Sequence, residues 1–215
     1  MKSIFITGTE GFVGKHLKEA LAQRADFQLF CPTMAELDLT QSQAVSQWLN
    51  TTKPDIIIHT ATSQTIGKGY ATDVCEQNLR MFFNLTRHRP PCCVLYTLCS
   101  GSSYNRENWI EGMPEDYLGE YIPSDSQGFS KFVIASHARK LERVVTLRLF
   151  GVFGRHEDYR YKCISNTIAK RMMGQEVVLF RDAHYHYLDV EDFCAIMQRL
   201  IDEDIFDGEY NVTPD

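Results

Sequence analysis

A glycine-rich stretch near the amino terminus carries the sharpest chemical signal in the chain: Thr7-Gly8-Thr9-Glu10-Gly11-Phe12-Val13-Gly14. It follows the apolar run Ser3–Thr7 and opens an amphipathic segment, Gly14–Arg24. Each glycine has its own physical use. Gly8 permits a tight turn, Gly11 lets backbone N–H groups approach a pyrophosphate, and Gly14 lets a helix lie close against the strand. The start of that helix offers unpaired N–H groups and the positive end of its dipole to an anion. A glycine triplet alone is weak evidence, since it also suits a plain turn. Strand, turn and helix together are the context that a dinucleotide phosphate site requires. Gly8, Glu10, Gly11, Phe12, Val13 and Gly14 are therefore the expected contacts.

Other polar groups have weaker claims. Arg155, Arg160 and Lys162 sit in one charged run, and guanidinium groups present fixed donors to phosphate oxygens. They would hold a diphosphate, or form an ordinary solvated loop. His184 and His186 fall on one face of an extended segment, but zinc needs a third ligand and usually a fourth, so no metal is expected. Asp189 and Asp192 suit the start of a helix better than catalysis. The seven cysteines are odd in number and lack CxxC spacing, which reads as reduced, mainly buried thiols of a cytoplasmic protein. Cys99 alone lies near a candidate site.

These groups must be positioned by an alternating framework. Strands are predicted at Ser3–Thr7, Phe27–Cys31, Asp55–Thr60, Val94–Leu98, Val144–Leu149, Val177–Phe180 and Glu209–Thr213. Helices are predicted at Gly14–Arg24, Ser42–Thr51 with Ser42 as a cap, Asp73–Arg87, Gly128–Leu141, Asn166–Met173 and Glu191–Asp202. Strands alternating with helices imply βαβ units and a parallel sheet. The expected fold is α/β, a Rossmann-type doubly wound sheet over residues 1–150, followed by a small substrate lobe over 151–215. Asn105–Asp125 is polar, with Pro114 and Pro123, and reads as a long loop, a kind that is often functional in compact domains. A net charge of −6 argues against a general nucleic-acid surface, and no apolar run is long enough to span a membrane.

The GxxGxxG spacing with Phe12-Val13-Gly14 resembles the extended branch of the short-chain dehydrogenase/reductase superfamily, the nucleotide-sugar epimerases, dehydratases and reductases. Further segments agree in order. Asp38-Leu39 matches the adenine-contacting acid, and Ile58-His59-Thr60-Ala61-Thr62 resembles "IHLAA". Asn78 matches the Asn of the next helix, Leu147–Gly154 resembles "LRxxNVYG", and Tyr187–Asp192 resembles "xYVxDxxxA". The resemblance covers nearly the whole chain. It implies a nicotinamide cofactor, NADP or NAD, held by the glycine stretch, Thr33, Asp38, Leu39, Thr60, Ala61, Thr62, Asn78 and Lys131. No carboxylate follows the second strand until Glu36, and Thr33 with Lys15 or Arg24 would serve a phosphate, a slight lean to NADP. A nucleotide-sugar substrate near Ser102, Arg155, Arg160 and Lys162 is implied too, as is a homodimer through the helices bearing Phe82, Phe83, Phe132 and Val133.

The same resemblance exposes a departure. The family uses a Ser or Thr, a Tyr, and a Lys four residues after that Tyr. Ser100 and Lys131 fit their places, but Gln127 occupies the Tyr position of "YGxSK". A carboxamide does not titrate near neutral pH, and losing a proton-transfer group typically costs on the order of 10²–10⁴ in rate. Either the chemistry is impaired or silent, or the exchange was introduced, or another group such as Tyr104, Tyr117, Tyr121 or Cys99 supplies the proton. The closing Glu209–Asp215 resembles "xYNVxxxxP", after which family members normally continue, so a minimal or shortened lobe is expected.

Overall fold

The computed structural model describes residues 1–63, 65–66, 69–178 and 185–214. In chain order these form β1 (Lys2–Thr7), α1 (Phe12–Leu21), β2 (Phe27–Phe30), α2 (Ser42–Thr52), β3 (Ile56–His59), β4 (Thr65–Ile66), β5 (Gly69–Tyr70) and α3 (Val74–His88). There follow β6 (Val94–Ser100), α4 (Ser126–Ala138), β7 (Val144–Leu149), β8 (Gly151–Phe153), α5 (Cys163–Met172), β9 (Tyr187–Asp189), α6 (Val190–Asp202) and β10 (Gly208–Val212). Six strands make one sheet in the order β2-β1-β3-β6-β7-β10, every neighbour parallel. β4 and β5 form a small antiparallel pair, β8 and β9 a small parallel one.

The central strands are apolar at successive positions because both faces of the sheet are covered. Ile4, Ile6, Ile58, Tyr96 and Leu147 point to the layer of α1 and α6, where Leu17, Leu21, Phe193, Met197 and Ile201 meet them. Phe5, Ile57, Leu95 and Val144 point the other way, to Val45, Leu49, Phe82, Leu85 and Ile134 of α2, α3 and α4. α6 and β10, late in the chain, return to this sheet, β10 pairing with β7.

One buried charge interrupts the apolar layers. Arg148 of β7 is fully buried, with its guanidinium 5.2 Å from the centre of the Tyr104 ring. It pairs with Glu209 of β10, which also takes Arg139, the residue just after α4. Two positions further along β10, Asn211 accepts the Tyr104 hydroxyl at 2.8 Å, donates its backbone N–H to Glu115 and its amide to the Met113 carbonyl. The long 105–125 loop is thereby pinned to the sheet edge, with short 3-10 turns at Arg106–Asn108 and Glu115–Tyr117.

Several boundaries differ from expectation for local reasons. α4 starts at Ser126 and not Gly128, because the Asp125 carboxylate caps it by accepting the Gly128 N–H at 2.8 Å. Ser42 is not a cap: Gln41 takes that place, and the Ser42 hydroxyl is hydrogen-bonded to His88 at 2.9 Å. On α3 the buried face runs through Asn78, Met81, Phe82 and Leu85, while Leu79 and Phe83 are only partly covered. Asp189 caps α6 through the Glu191 N–H. Of the strand expected at Val177–Phe180, Val177 and Val178 have no regular structure, and Leu179 and Phe180 lie outside the described residues, as does His184. The cysteines are all free, but only Cys93, Cys99 and Cys194 are buried, and Cys92 and Cys163 are exposed.

Candidate active site

The glycine turn sits where β1 hands over to α1, at the carboxyl edge of the sheet between β2 and β3. Gly8 has φ +69, a left-handed conformation, and a side chain there would meet the Ala61 backbone at 2.8 Å. A Cβ on Gly14 would stand 2.7 Å from the Thr60 hydroxyl oxygen and overlap the Gly8 carbonyl. The Gly11 N–H closes the turn on the Gly8 carbonyl at 3.0 Å. No side chain caps α1, and its first turn holds no acid, so its leading N–H groups remain for an anion. The turn is tied to β3: the Thr60 hydroxyl donates to the Thr7 carbonyl at 2.6 Å, and Thr7 and His59 share a side-chain hydrogen bond of 3.0 Å.

A cavity of about 530 Å³ opens directly on this turn. Gly8, Glu10, Gly11, Asp38, Leu39, Thr60, Ala61 and Thr62 all line it, so the structure gathers most of the residues expected to hold the dinucleotide. Phe12 and Val13 do not face it; Phe12 packs edge-on against His16, and Val13 against the core, leaving only their backbone for the ligand. Thr33 is turned to Glu36, which accepts both its N–H (2.7 Å) and its hydroxyl (2.9 Å). Partial burial pushes the Asp38 carboxyl up, but hydrogen bonds from Thr40 and Gln41 outweigh it and hold it below the usual range. Ser63, Ala71, Gln77 and Met81 also line the cavity. No motif pointed to them, because they are assembled by the β3–α3 crossover and not by local spacing.

The second group of residues gathers at β6 and α4. Ser100 ends β6 and its Oγ accepts the Ser102 N–H at 3.2 Å. Lys131 is buried, and its Nζ donates to the Leu98 carbonyl at 3.2 Å, two residues before Ser100 on the same strand. Gln127 lies one turn earlier on α4, on the same helix face, and is buried too. Its Oε1 accepts from Arg106 at 3.5 Å, a contact that nothing in the sequence pattern announced. Asn78 does not line the cavity. Its Oδ1 accepts from the Thr62 hydroxyl (3.1 Å) and the Ser63 N–H (2.8 Å), and its Nδ2 donates to Ser130 Oγ (3.0 Å), which donates on to the Gln127 carbonyl (2.7 Å). It thus braces the β3 end against the start of α4. Burial lowers the pKa of Lys131, opposed by the neighbouring Cys99. Burial, with the charge of Lys131, also drives His59 down to about 3, so its imidazole is neutral.

The comparisons with known proteins give the family and the fold. The NAD dependent epimerase/dehydratase family matches residues 4–213. The chain belongs to that family. A GDP-6-deoxy-D-talose 4-dehydrogenase from Aggregatibacter actinomycetemcomitans is 28% identical over 222 residues, covering 97% of this chain and 73% of its own. Among solved structures, dTDP-4-dehydrorhamnose reductase from Bacillus anthracis in complex with NADP superposes with a TM-score of 0.80 at 19% identity, covering 100% of this chain and 76% of its own. A GDP-mannoheptose C4 reductase from Campylobacter jejuni with NADP bound gives 0.79 at 19%, over 99% and 78%. The cofactor class of this fold is NAD(P), and the glycine cradle and the cavity beside it fit that group.

The remaining candidates of this family member are placed apart from the cradle. Arg155 reaches back to Glu19 on α1 (2.7 Å), and Arg160 forks the Asp158 carboxylate (2.8 Å). Lys162 lines a separate cavity of about 220 Å³ with Phe150, Glu157, Cys163, Tyr185 and Tyr187. Ser102 is buried beside Ser100, and its hydroxyl has no partner among the described residues. The tyrosines flanking the site are committed elsewhere: Tyr104 donates to Asn211, Tyr117 to the Asn108 carbonyl at 2.9 Å, and Tyr121 is exposed. The Cys99 thiol donates to the Lys131 carbonyl at 3.4 Å. Among the described residues no three His, Cys, Asp or Glu side chains cluster as metal ligands, and no helix is long and apolar enough to cross a membrane.

Proposed function

We propose that the chain binds a nicotinamide dinucleotide and a nucleotide-linked sugar, with the sugar carbon to be oxidised or reduced placed at Ser100, Gln127 and Lys131. The relatives named above support the substrate class, since each acts on a GDP- or dTDP-linked sugar by its name. When bound, the cofactor supplies or accepts a hydride. The residues do the rest. The Ser100 hydroxyl orients the sugar oxygen, and Lys131 holds the nicotinamide ribose from the β6 side. Ser102 and Lys162 bracket the sugar, and Arg155 and Arg160 are available to a diphosphate only after leaving Glu19 and Asp158.

The observation that carries this reading is the side-chain-free glycine turn opening on the 530 Å³ cavity; what limits it is Gln127, buried on the same face of α4 as Lys131. Its amide can hold a sugar hydroxyl but cannot move a proton. Hydride transfer is therefore slow in this chain, and a second reading follows from the same residue: a cofactor-binding family member without turnover, in a regulatory or assembly role. The Gln127→Tyr variant separates them. With GDP- and dTDP-linked 4-keto sugars, following NAD(P)H absorbance, the variant should gain on the order of 10²–10⁴ over the native chain. Tight cofactor binding with no turnover in either form would leave the silent reading standing. We also propose a homodimer through α3 and α4. Phe82 is fully buried within one chain, which leaves the partly covered Phe83, Phe132 and Val133 to meet a second copy. Light scattering on the purified chain tests it, and a monomeric mass at all concentrations would refute it.

A further inference from the structure

The 105–125 loop brings a cation to the candidate site, and that cation acts through Gln127. Arg106 stands on the first 3-10 turn of the loop. Asn105 ties this turn down on two sides: its Oδ1 accepts the Glu107 N–H at 3.0 Å, and its Nδ2 donates to the Ile122 carbonyl at 3.1 Å. From there the Arg106 guanidinium reaches the start of α4. One terminal nitrogen donates to Gln127 Oε1 at 3.5 Å, and the other lies 3.9 Å from the Asp125 carboxylate that caps the helix. The helix start lies against the turn that follows Ser100, since a Cβ on Gly128 would stand 2.7 Å from the Ser102 carbonyl. That contact sets the neighbouring, buried Gln127 close to the end of β6.

The direction of the Arg106 hydrogen bond decides what Gln127 can offer. A guanidinium carries five N–H donors, no acceptor and a charge that it keeps at any working pH. The amide must therefore turn its oxygen toward Arg106. Its two N–H groups have no partner among the described residues and are left for a ligand. A tyrosine hydroxyl at this position would both donate and accept, whereas the clamped amide only donates. The groups beside it act in the same sense. Ser100 Oγ already takes the Ser102 N–H, so its own hydrogen is available to donate, and the Lys131 ammonium has no acceptor. A carbonyl oxygen accepts and never donates, which suits such a surface. A hydroxyl must also place its hydrogen, and Gln127 gives it no acceptor.

We propose that Arg106 is a positioning residue that locks the Gln127 amide as a donor, so that the site binds the keto form of its sugar in preference to the corresponding alcohol. This rests on the reading that a nucleotide-linked sugar docks at Ser100, Gln127 and Lys131.

The test is titration calorimetry of the full chain with GDP- and dTDP-linked 4-keto sugars and with their 4-hydroxy counterparts. All titrations contain ADP-ribose, which fills the dinucleotide site but carries no nicotinamide and so permits no hydride transfer. The native chain should bind the keto sugar about tenfold more tightly than the alcohol, the effect of one hydrogen bond made against one left unmade. Arg106→Ala frees the amide to turn over, and the ratio should fall toward one. Arg106→Lys keeps a charged donor and should restore part of it. Gln127→Glu replaces the donor by an acceptor paired with Arg106, and the ratio should invert. If Arg106 only fastened the loop, Arg106→Ala would weaken both sugars together. An unmoved ratio in that variant, or equal binding of both sugars by the native chain, would overturn the proposal while leaving the sugar site intact. Binding of neither sugar, with ADP-ribose still bound, would bring down the proposal together with the reading on which it rests.

Discussion

The glycine cradle and the corner formed by β6 and α4 lie on the same edge of the sheet and are built by opposite means. At the cradle the chain removes side chains, and backbone meets backbone: Gly8 against Ala61, Gly14 against Gly8 and Thr60. At β6 and α4 the fit is made by buried polar side chains, including Lys131, Gln127 and Ser130, with Arg148 and Glu209 beneath the loop that brings in Arg106. A site made of backbone tolerates any neighbouring sequence that leaves its glycines alone. A site made of side chains depends on the identity of each one, which is what the Gln127→Tyr variant tests.

That contrast can be broken by experiment. The largest effect is expected at the buried ion pair. Glu209→Ala strips the carboxylate from a fully buried guanidinium, and stability should fall by about 3–5 kcal/mol in urea unfolding. A loss below about 1 kcal/mol would mean that the corner is not held by its side chains. Next in size is Gly14→Ala, where the added methyl collides with the Gly8 carbonyl. Overpacking of this kind costs about 1–3 kcal/mol, and binding of NADH should weaken with it. An unchanged melting temperature and affinity would show that the cradle has room to give.

The smallest effect sharpens the comparison at the seam between the two regions, where His59 shares a hydrogen bond with Thr7 on one side and feels Lys131 on the other. Its folded pKa, about 3, lies below the ordinary 6.5. The unfolded chain therefore binds the proton first, and stability falls as pH drops from about 6.5 toward 3. Between pH 7.5 and pH 5 the loss assigned to this group is about 2 kcal/mol. His59→Asn should flatten that part of the pH dependence of urea unfolding; an identical slope in both proteins would remove His59 from the seam. Thiol reactivity is expected to differ between regions as well, since burial pushes Cys93 up to about 12 and Cys194 up to about 11 while Cys163 is exposed.

Much of the framework was legible before any coordinates. The alternation of apolar runs with amphipathic stretches located the strands of the parallel sheet, and Thr7–Gly14 located the cradle. Boundaries moved where a single cap intervened, as with Asp125 before α4 and Gln41 before α2. Asn78 was expected at the cofactor, yet its amide is spent on Thr62, Ser63 and Ser130, because donors meet its oxygen on one side and an acceptor meets its nitrogen on the other. Thr33 and Arg24 were expected to favour a phosphate. Both are held by carboxylates, Thr33 by Glu36 three residues on and Arg24 by Asp26 and by the sequence-distant Asp202.

The residue order alone was enough to indicate the fold class and the place of the glycine turn, because these depend on local periodicity and on glycine's missing Cβ. Which charges remain free was settled only when the chain folded. Glu19 meets Arg155 across 136 residues of sequence, Asp202 meets Arg24 across 178, and Glu209 meets Arg148 across 61. An ion pair is formed by distance in space, and spacing along the chain carries no record of it.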